Sequence, residues 1–315
     1  MIPVFHSVAE VPQEFGPCVA AIGNFDGVHL GHRQILSSAA AEAKTRGIRS
    51  IAITFNPHPA QFLYPSEAPR LLTFLPQRLE LLATTGVDAV LVLPFDSALS
   101  HVSARDFVSE ILVGALRVKG MHEGGSFRFG HGAKAGVDEL RTFGEEFGFG
   151  VEVHPAVQVH GMEVSSSAVR AQIAAGDVRR ARWMLGRVFG VYSTPARGRG
   201  IGTRLLVPTV NLAPYDGLLP EFGVYVTRLT VSGQRCFQAV TNVGTRPTFE
   251  GAGFSVETHI LDFDAFDLDD STPLHLEFLF RLRGEMTWPS PEALKTQIFK
   301  DVARAKRYFQ LLEKP

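Results

Sequence analysis

The sequence predicts an α/β domain with a doubly wound parallel sheet, followed by a small antiparallel β-barrel domain that ends in a helix. Short apolar segments alternate with helix-like segments over the first half of the 315 residues. No long helix interrupts the apolar segments of the second half, and a glycine-rich turn at 23–32 joins an early strand to a helix. Strand–helix alternation is typical of parallel strands joined by crossover helices, whereas uninterrupted strands indicate antiparallel sheet.

The composition is typical of globular protein and points to no macromolecular partner. Hydrophobic residues make up 45% and charged residues 20% of the chain, and the formal net charge is −1. Overall charge therefore favours neither nucleic acid nor a membrane as partner. Cys18 and Cys236 form neither a metal set nor a disulfide framework, and the N-terminus lacks a signal-peptide pattern, so we expect a cytoplasmic protein. The oligomeric state is left open.

The first half alternates five predicted strands with four predicted helices, after which two further helical segments follow. The strands are 19–25, 50–55, 89–93, 118–122 and 150–153, and the helices are 33–46, 76–85, 104–116, 138–147, 167–175 and 178–185. We place the domain boundary after the last of these, which gives domains 1–185 and 186–315. Ligands of doubly wound sheets bind at the carboxyl ends of the strands.

The second half contains four predicted strands, 224–231, 234–242, 254–263 and 274–282. In the last of them apolar and polar residues mostly alternate, as in a strand with one buried face. Ser290 is a suitable N-cap and Pro291 suits the first turn of a helix whose apolar residues form one stripe. These features predict a small antiparallel barrel followed by a C-terminal helix.

The turn at 23–32 reads G-N-F-D-G-V-H-L-G-H and predicts an anion site, because the first N–H groups of a helix are unpaired and point outward. His29 and His32 are three residues apart, so both can face one pocket. This H-x-G-H pattern resembles the phosphate-contacting motif of Rossmann-like nucleotidyltransferases. We expect the phosphates of ATP here, with further contacts from Gly23, Asn24, Phe25, Asp26, Gly27 and Gly31. The alternative is a turn with two surface histidines.

Two other segments join this prediction. T-F-N-P-H-P at 54–59 follows the second strand at the same sheet edge, although His58 alone could be a loop histidine packed on proline. Ser165, Ser166 and Ser167 lie at a helix start, where hydroxyls and free N–H groups suit phosphate, and Arg170 can bind it with two hydrogen bonds. Plain N-capping by serine is the alternative.

Together these segments resemble the adenylyltransferase module of bacterial bifunctional riboflavin kinase/FAD synthetases. The family patterns G-x-F-D-G-x-H-x-G-H, T-F-x-P-H-P and I-S-S-[ST]-x-[IV]-R are matched in the family's order. Phe127 to Gly130 is similar to the family's [DN]-F-x-F-G element, with Ser126 in place of its acidic or amide residue. The resemblance implies a flavin site that includes Asn56, His58, Ser126, Phe127 and Phe129.

The second half offers residues suited to phosphoryl transfer. Gly200, Gly202 and Arg204 lie in a glycine-rich basic run whose N–H groups could surround phosphates, although it is no Walker motif and a flexible loop is the alternative. Thr209 and Asn211 share one strand face and offer oxygen, which suits Mg²⁺. A carboxylate among strand residues, Glu257, could be a general base, or a solvated outward position.

This half resembles the riboflavin kinase module of the same family. The matching elements are P-T-x-N at 208–211, G-V-Y at 223–225, N-x-G-x-R-P-T at 242–248 and V-E-x-H-x-L-D-F at 256–263. The resemblance implies that Thr209 and Asn211 bind Mg²⁺–ATP, that Glu257 deprotonates the terminal ribityl hydroxyl and that Arg283 contacts flavin. Leu206 departs from the family, which has glycine there.

The predicted function is therefore phosphorylation of riboflavin to FMN by ATP, then adenylylation of FMN to FAD with release of pyrophosphate. The partners are small molecules, with no nucleic acid and no membrane. The first alternative is an FMN adenylyltransferase whose barrel only binds flavin, as the substitution Leu206 would permit. The others are a non-catalytic flavin-binding protein and a transferase for another phosphorylated acceptor.

Overall fold

The computed structural model describes residues 2–196, 209–246, 253–262 and 268–312. The chain divides into two compact units, Met1–Ser166 and Ser167–Pro315. The domain boundary expected after residue 185 stays a prediction.

The first unit contains a six-stranded parallel sheet with strand order β1-β4-β3-β2-β5-β6, as the alternation predicted. Its strands are β1 (Val4–Phe5), β2 (Cys18–Ile22), β3 (Arg49–Asn56), β4 (Ala89–Pro94), β5 (Val118–Gly124) and β6 (Gly150–His154). Every residue of β2 is buried, as expected where helices cover both faces of a parallel sheet. A short hairpin of β7 (Gln158–Val159) and β8 (Met162–Glu163) follows.

The helices of the first unit pack into two buried clusters. They are α1 (Leu30–Arg46), α2 (Pro59–Leu63), α3 (Leu75–Ala83), α4 (Ser97–Ser100), α5 (Ala104–Asp106) and α6 (Val137–Phe147), with a π-helix at Phe107–Ala115. The predicted α-helix over 104–116 is thus mostly π-helical, because N–H groups there reach one residue further back, as from Leu116 to the carbonyl of Ile111. No local pattern in the sequence indicates this wider turn.

The second unit is an antiparallel sheet with helices beside it. The elements are α7 (Ser166–Ala174), which starts at the last residue of the first unit, α8 (Val178–Leu185), β9 (Phe189–Ser193), β10 (Thr209–Asn211), β11 (Gly223–Val231), β12 (Arg235–Arg246), β13 (Gly253–Ile260), β14 (Leu274–Gly284) and α9 (Pro291–Leu312). All neighbouring strands are antiparallel, in the order β10-β13-β12-β11-β14-β9. This half-barrel with its C-terminal helix confirms the predicted fold class.

The C-terminal helix α9 covers one face of this sheet. Its Ala305 and Phe309 are buried in a cluster with Val224 and Val226 of β11. Ser290 caps the helix as predicted, since its hydroxyl accepts a bond of 3.2 Å from the N–H of Ala293. Among the described residues, no helix has the length and apolar character needed to cross a bilayer.

Candidate active sites

The turn after β2 is strained and tightly fitted. The predicted strand 19–25 ends at Ile22, and the chain then enters the left-handed region at Phe25 (φ 46°), Gly27 (φ 83°) and Val28 (φ 38°). A β-branched residue such as Val28 rarely adopts this conformation, and such strain is concentrated at functional sites. At position 27 the positive φ strains any residue that has a Cβ, and that Cβ would lie 2.7 Å from Leu72 Cδ1, so both features favour glycine.

Asp26 ties this turn to the segment before α3. Its carboxylate is 1% exposed and accepts bonds from the N–H of Leu72 (3.0 Å) and of Thr73 (2.9 Å). The Thr73 hydroxyl in turn accepts a bond of 3.0 Å from the N–H of Gly27. Asp26 therefore shapes the loop from within the protein, and its predicted contact with phosphate stays a prediction.

Arg78 of α3 is a functional candidate that the sequence did not indicate. Its side chain is 1% exposed, and it donates to the carbonyls of Asn24 (2.7 Å) and Phe55 (3.2 Å). It thereby joins the first motif to the T-F-N-P-H-P loop. Burial lowers the pKa of Arg78, and the nearby Asp26 carboxylate acts against that shift. A single arginine in a helical segment carries no pattern that would reveal this role.

The two histidines lie together, as their spacing predicted. His29 caps α1 through Nδ1, which accepts a bond of 3.3 Å from the N–H of His32. In the neutral ring the proton is then on Nε2, where it can be donated to a ligand oxygen. The two rings stack with centroids 3.6 Å apart. A Cβ at Gly31 would lie 3.2 Å from His29 Cε1, so the glycine of H-x-G-H leaves room for the first imidazole.

The serine motif reaches the same turn through Ser166. Its hydroxyl donates a bond of 2.9 Å to the carbonyl of Asp26, at the residue where α7 begins. Ser165 is half-buried just before it. In the second unit, Ser167 is exposed and Arg170 is half-buried one turn further along α7.

The residues predicted to bind flavin differ in their exposure to solvent. His58 is 8% exposed and caps α2, where Nδ1 accepts a bond of 3.1 Å from the N–H of Ala60. Phe129 stacks on Phe127 at 5.3 Å but is itself part of the buried core. Phe127 is half-buried, and Asn56 and Ser126 are exposed.

Glu123 at the end of β5 is a second residue that the sequence did not indicate. Its carboxyl is 2% exposed and accepts a bond of 2.7 Å from the N–H of Ile22, the last residue of β2. Burial raises the pKa of Glu123 well above its usual range, and the bond from Ile22 opposes this shift only in part. Glu123 therefore supports the start of the H-x-G-H turn.

In the second unit the strand register brings the predicted kinase residues together. Asn211 of β10 lies directly opposite Glu257 of β13, and Asn242 of β12 lies opposite Glu257 on its other side. Thr209 is two residues from Asn211 and shares its face. The Glu257 side chain is exposed, and its Oε1 accepts a bond of 3.1 Å from the Ser255 hydroxyl. Oxygen ligands and a carboxylate thus share one face of the sheet, which is exposed at Glu257.

The same row of cross-strand neighbours continues through Val224 to Arg283 of β14. Arg283 Nε is 3.0 Å from Asp301 Oδ2 of α9, and its guanidinium lies 5.4 Å from the centroid of Trp288. Asp301 is 2% exposed and also accepts a bond of 2.9 Å from Gln297. The helix α9 therefore holds Arg283 in place, which the sequence did not indicate.

A ladder of buried threonines, Thr227, Thr241 and Thr258, lies on the opposite face of this sheet. All three are fully buried, with Oγ1 atoms 2.7 Å apart for the first pair and 3.0 Å for the second. Thr241 directly precedes Asn242 in sequence, and Thr258 directly follows Glu257. Because a slip of one residue would reverse every side chain, this ladder stabilises the register that puts Glu257 beside Asn242.

Gly200, Gly202 and Arg204, and also Leu206, lie outside the described residues. Their predicted contacts with ATP stay predictions.

Comparison with known proteins identifies both halves of the chain. Residues 11–168 match the family model for FAD synthetase, and residues 185–309 match that for riboflavin kinase. The bifunctional riboflavin kinase/FMN adenylyltransferase of Escherichia coli K12 is 34% identical over 313 residues, covering 99% of this chain and 98% of the relative. The protein of the same name from Pseudomonas fluorescens is 39% identical over 290 residues, with 92% of each chain covered.

A solved structure has a similar fold. A Streptococcus pneumoniae protein named macrolide-efflux protein superposes with a TM-score of 0.85 at 24% identity, covering 96% of this chain and 98% of its own. At this identity the likeness concerns the fold alone.

Proposed function

Because the chain belongs to the family of bifunctional riboflavin kinase/FMN adenylyltransferases, we propose that its two units carry separate sites for the two reactions. The chain phosphorylates riboflavin to FMN with one ATP and adenylylates FMN to FAD with another, releasing pyrophosphate. The observation that carries this proposal is the match to both family models on one chain that aligns with full-length relatives.

For FAD formation, an FMN phosphate oxygen attacks the α-phosphorus of ATP, and no protein nucleophile is required. His29, with its proton on Nε2, donates to a phosphate oxygen, and His32 stacked against it lies in the same turn. The N–H groups of the turn and of the start of α1, with Ser165 and Ser166, stabilise the triphosphate. The phosphate contact expected from Arg170 stays a prediction. Positioning and charge stabilisation supply the catalysis.

For FMN formation, Glu257 accepts the proton of the terminal ribityl hydroxyl as that oxygen attacks the γ-phosphorus. The Glu257 carboxylate is exposed, and none of its described contacts is a buried ion pair. Both features support this role. Thr209 and Asn211 offer oxygen ligands on the same face as Glu257 and would hold Mg²⁺, which neutralises charge on the transferred phosphate. Arg283, at the other end of the row, is proposed to contact the flavin.

We keep the boundary between the two domains at 185/186, which agrees with the start of the riboflavin kinase match at residue 185. Both cysteines, buried Cys18 and exposed Cys236, are free, which together with the use of ATP supports a cytoplasmic location.

One alternative function is favoured by a specific observation. Leu206 stands where the family has glycine, so the second unit could bind flavin without phosphorylating it. Purified protein is incubated with riboflavin, ATP and Mg²⁺, or with FMN in place of riboflavin, and the flavins are separated by chromatography. The proposal expects FMN and then FAD in the first reaction, FAD in the second, and neither product when EDTA removes Mg²⁺. FAD from FMN alone would instead establish the alternative, and Leu206→Gly would then be the variant that restores FMN formation.

A further inference from the structure

A cluster of histidine and carboxylate side chains lies at the edge of the parallel sheet, and its residues belong to none of the motifs assigned to either reaction. Glu152 and His154 are two residues apart on the edge strand β6, so both side chains lie on one face. On the neighbouring strand β5, His122 is the register partner of Glu152.

The distances among the three residues suit a common ligand. His122 Nδ1 is 2.9 Å from His154 Nε2, and each of these nitrogens lies close to a Glu152 oxygen, at 3.9 and 3.8 Å. A tetrahedral Zn²⁺ with bonds of about 2.0–2.1 Å separates its ligand atoms by about 3.4 Å, within this range. The two imidazoles are 1% and 7% exposed, whereas Glu152 is 60% exposed. The cluster is therefore fixed on its protein side and open to entry of an ion.

A supporting carboxylate already orients the first imidazole. Glu42 Oε2 of α1 lies 2.5 Å from His122 Nε2, while Glu42 Oε1 is 2.7 Å from Arg46 Nη2. His122 therefore donates its proton to Glu42 through Nε2, and the lone pair of Nδ1 faces His154 and Glu152. Carboxylate–histidine pairs of this kind orient metal-binding imidazoles in proteins. At Gly120 a Cβ would lie 2.5 Å from Glu42 Oε1, so this glycine provides the space that the carboxylate occupies.

We propose that His122, Glu152 and His154 bind Zn²⁺, with water as the fourth ligand and Glu42 as the residue that positions His122. Two imidazole nitrogens and one carboxylate oxygen are zinc ligands, whereas Mg²⁺ prefers oxygen alone. The ion would link the edge strand β6 to β5. Its role is structural, and the proposal does not depend on the two reactions proposed above.

A hydrogen-bonded chain without metal is the competing explanation. In it, His154 Nε2–H donates to His122 Nδ1, and His122 Nε2–H donates to Glu42. This arrangement satisfies the same groups but gives no affinity for Zn²⁺ at this place.

The test uses the full-length, tag-free protein without nucleotide, stripped by a chelator and then dialysed against ZnCl₂. Metal analysis counts the zinc per chain, and the melting temperature is measured with and without ZnCl₂. Relative to the wild type, His154→Gln should bind one zinc fewer per chain and lose the zinc-dependent rise in melting temperature. Glu42→Gln should keep the site but weaken it by about 10–100-fold, as expected for loss of a positioning partner.

His131→Gln is the matched control. His131 stacks on His101 at 5.2 Å, much as His122 stacks on His154, but its Nδ1 is bonded to a backbone carbonyl instead of facing a carboxylate. It should bind as much zinc as the wild type. Equal zinc stoichiometry and affinity in the wild type and in His154→Gln would overturn the proposal, as would a wild type that binds no zinc. Tetrahedral d–d absorption bands of Co²⁺ in the wild type, lost in His154→Gln, would support it.

Discussion

The two candidate active sites are built in different ways. In the first unit, loops that follow parallel strands are held by long-range bonds from buried side chains, such as those of Asp26 to Thr73 and of Arg78 to Asn24. In the second unit, the register of antiparallel strands alone puts Asn211 beside Glu257. The first site thus depends on buried side chains that hold its loops in place, whereas the second can lose its chemistry at an exposed side chain without loss of structure.

The largest effect is expected from Glu257→Gln. The amide keeps the shape of an exposed side chain but cannot accept the ribityl proton, so FMN formation should fall by about 10²–10⁴-fold. Conversion of FMN to FAD should be unchanged, because the first unit carries that reaction. Flavin chromatography with riboflavin or FMN as substrate measures both rates.

His32→Gln is the reciprocal variant and should lose FAD formation while retaining FMN formation. Equal loss of both reactions in either variant would show that the two sites are not separate.

Arg78→Met tests the dependence of the first site on buried support. It removes a donor from the carbonyl of Phe55 and a positive charge from beside the Asp26 carboxylate, which should cost about 2–5 kcal/mol of unfolding free energy. The rate of FAD formation should fall together with stability, even though the Arg78 side chain is buried. Urea unfolding measures the change. Arg141→Met, at an exposed position of α6, is the control and should change stability by less than about 0.5 kcal/mol. A stable Arg78→Met with full activity would contradict the comparison.

The stability of the second unit should fall in acid because of His275. Burial lowers the pKa of His275 to about 4, and Arg228 and Arg187 add to the shift. Between the usual histidine pKa of about 6.5 and about 4, the unfolded chain binds a proton that the folded chain does not, so stability is lost as pH falls, by up to about 3 kcal/mol.

Both tryptophans, Trp183 and Trp288, lie in the second unit, so their fluorescence follows its unfolding. His275→Gln should flatten the loss between pH 6.5 and 4, whereas exposed His6→Gln should not. An unchanged slope in His275→Gln would refute the assignment.

The stability of the first unit should change with the opposite sign because of Glu123. The folded-state pKa of Glu123 is raised, so its folded form keeps a proton that the unfolded chain releases. Stability is therefore present below the usual glutamate pKa and is lost as pH rises towards the folded-state pKa. Glu123→Gln keeps an acceptor for the N–H of Ile22 and should remove this loss, measured as hydrogen-exchange protection of β2 at several pH values, corrected for intrinsic exchange. A wild type whose protection does not fall as pH rises would contradict it.

The smallest effect is expected from Gly31→Ala. The new methyl would lie 3.2–3.3 Å from the His29 ring, so the imidazole must shift by a few tenths of an ångström. Small misplacement of a catalytic group slows reactions, and we expect FAD formation to fall by about 10-fold with FMN formation unchanged. Gly150→Ala, where a Cβ meets nothing within 4 Å, is the control. Equal FAD rates in the two variants would show that Gly31 is not fitted to His29.

The parts of this molecule that could be predicted are those with a local pattern. Strand–helix alternation predicted the parallel sheet, and the three-residue spacing of His29 and His32 predicted their proximity, because both signals lie within one or two elements. Arg78, Glu123 and Asp301 could not be found in this way, since each acts through a partner in a distant segment. The short strand β9 was also missed as an element, because five residues carry too little periodicity.

The threonine ladder restricts where its hydrogens can lie. Each hydroxyl has one hydrogen and two lone pairs, so Thr241 can donate to only one of Thr227 and Thr258 and must accept a bond from the other. Thr241 makes both bonds of the ladder, whereas each end member makes only one. The effect of replacement by valine therefore depends on the position. Valine at Thr241 breaks both hydrogen bonds of the ladder, whereas valine at Thr227 or Thr258 breaks only one.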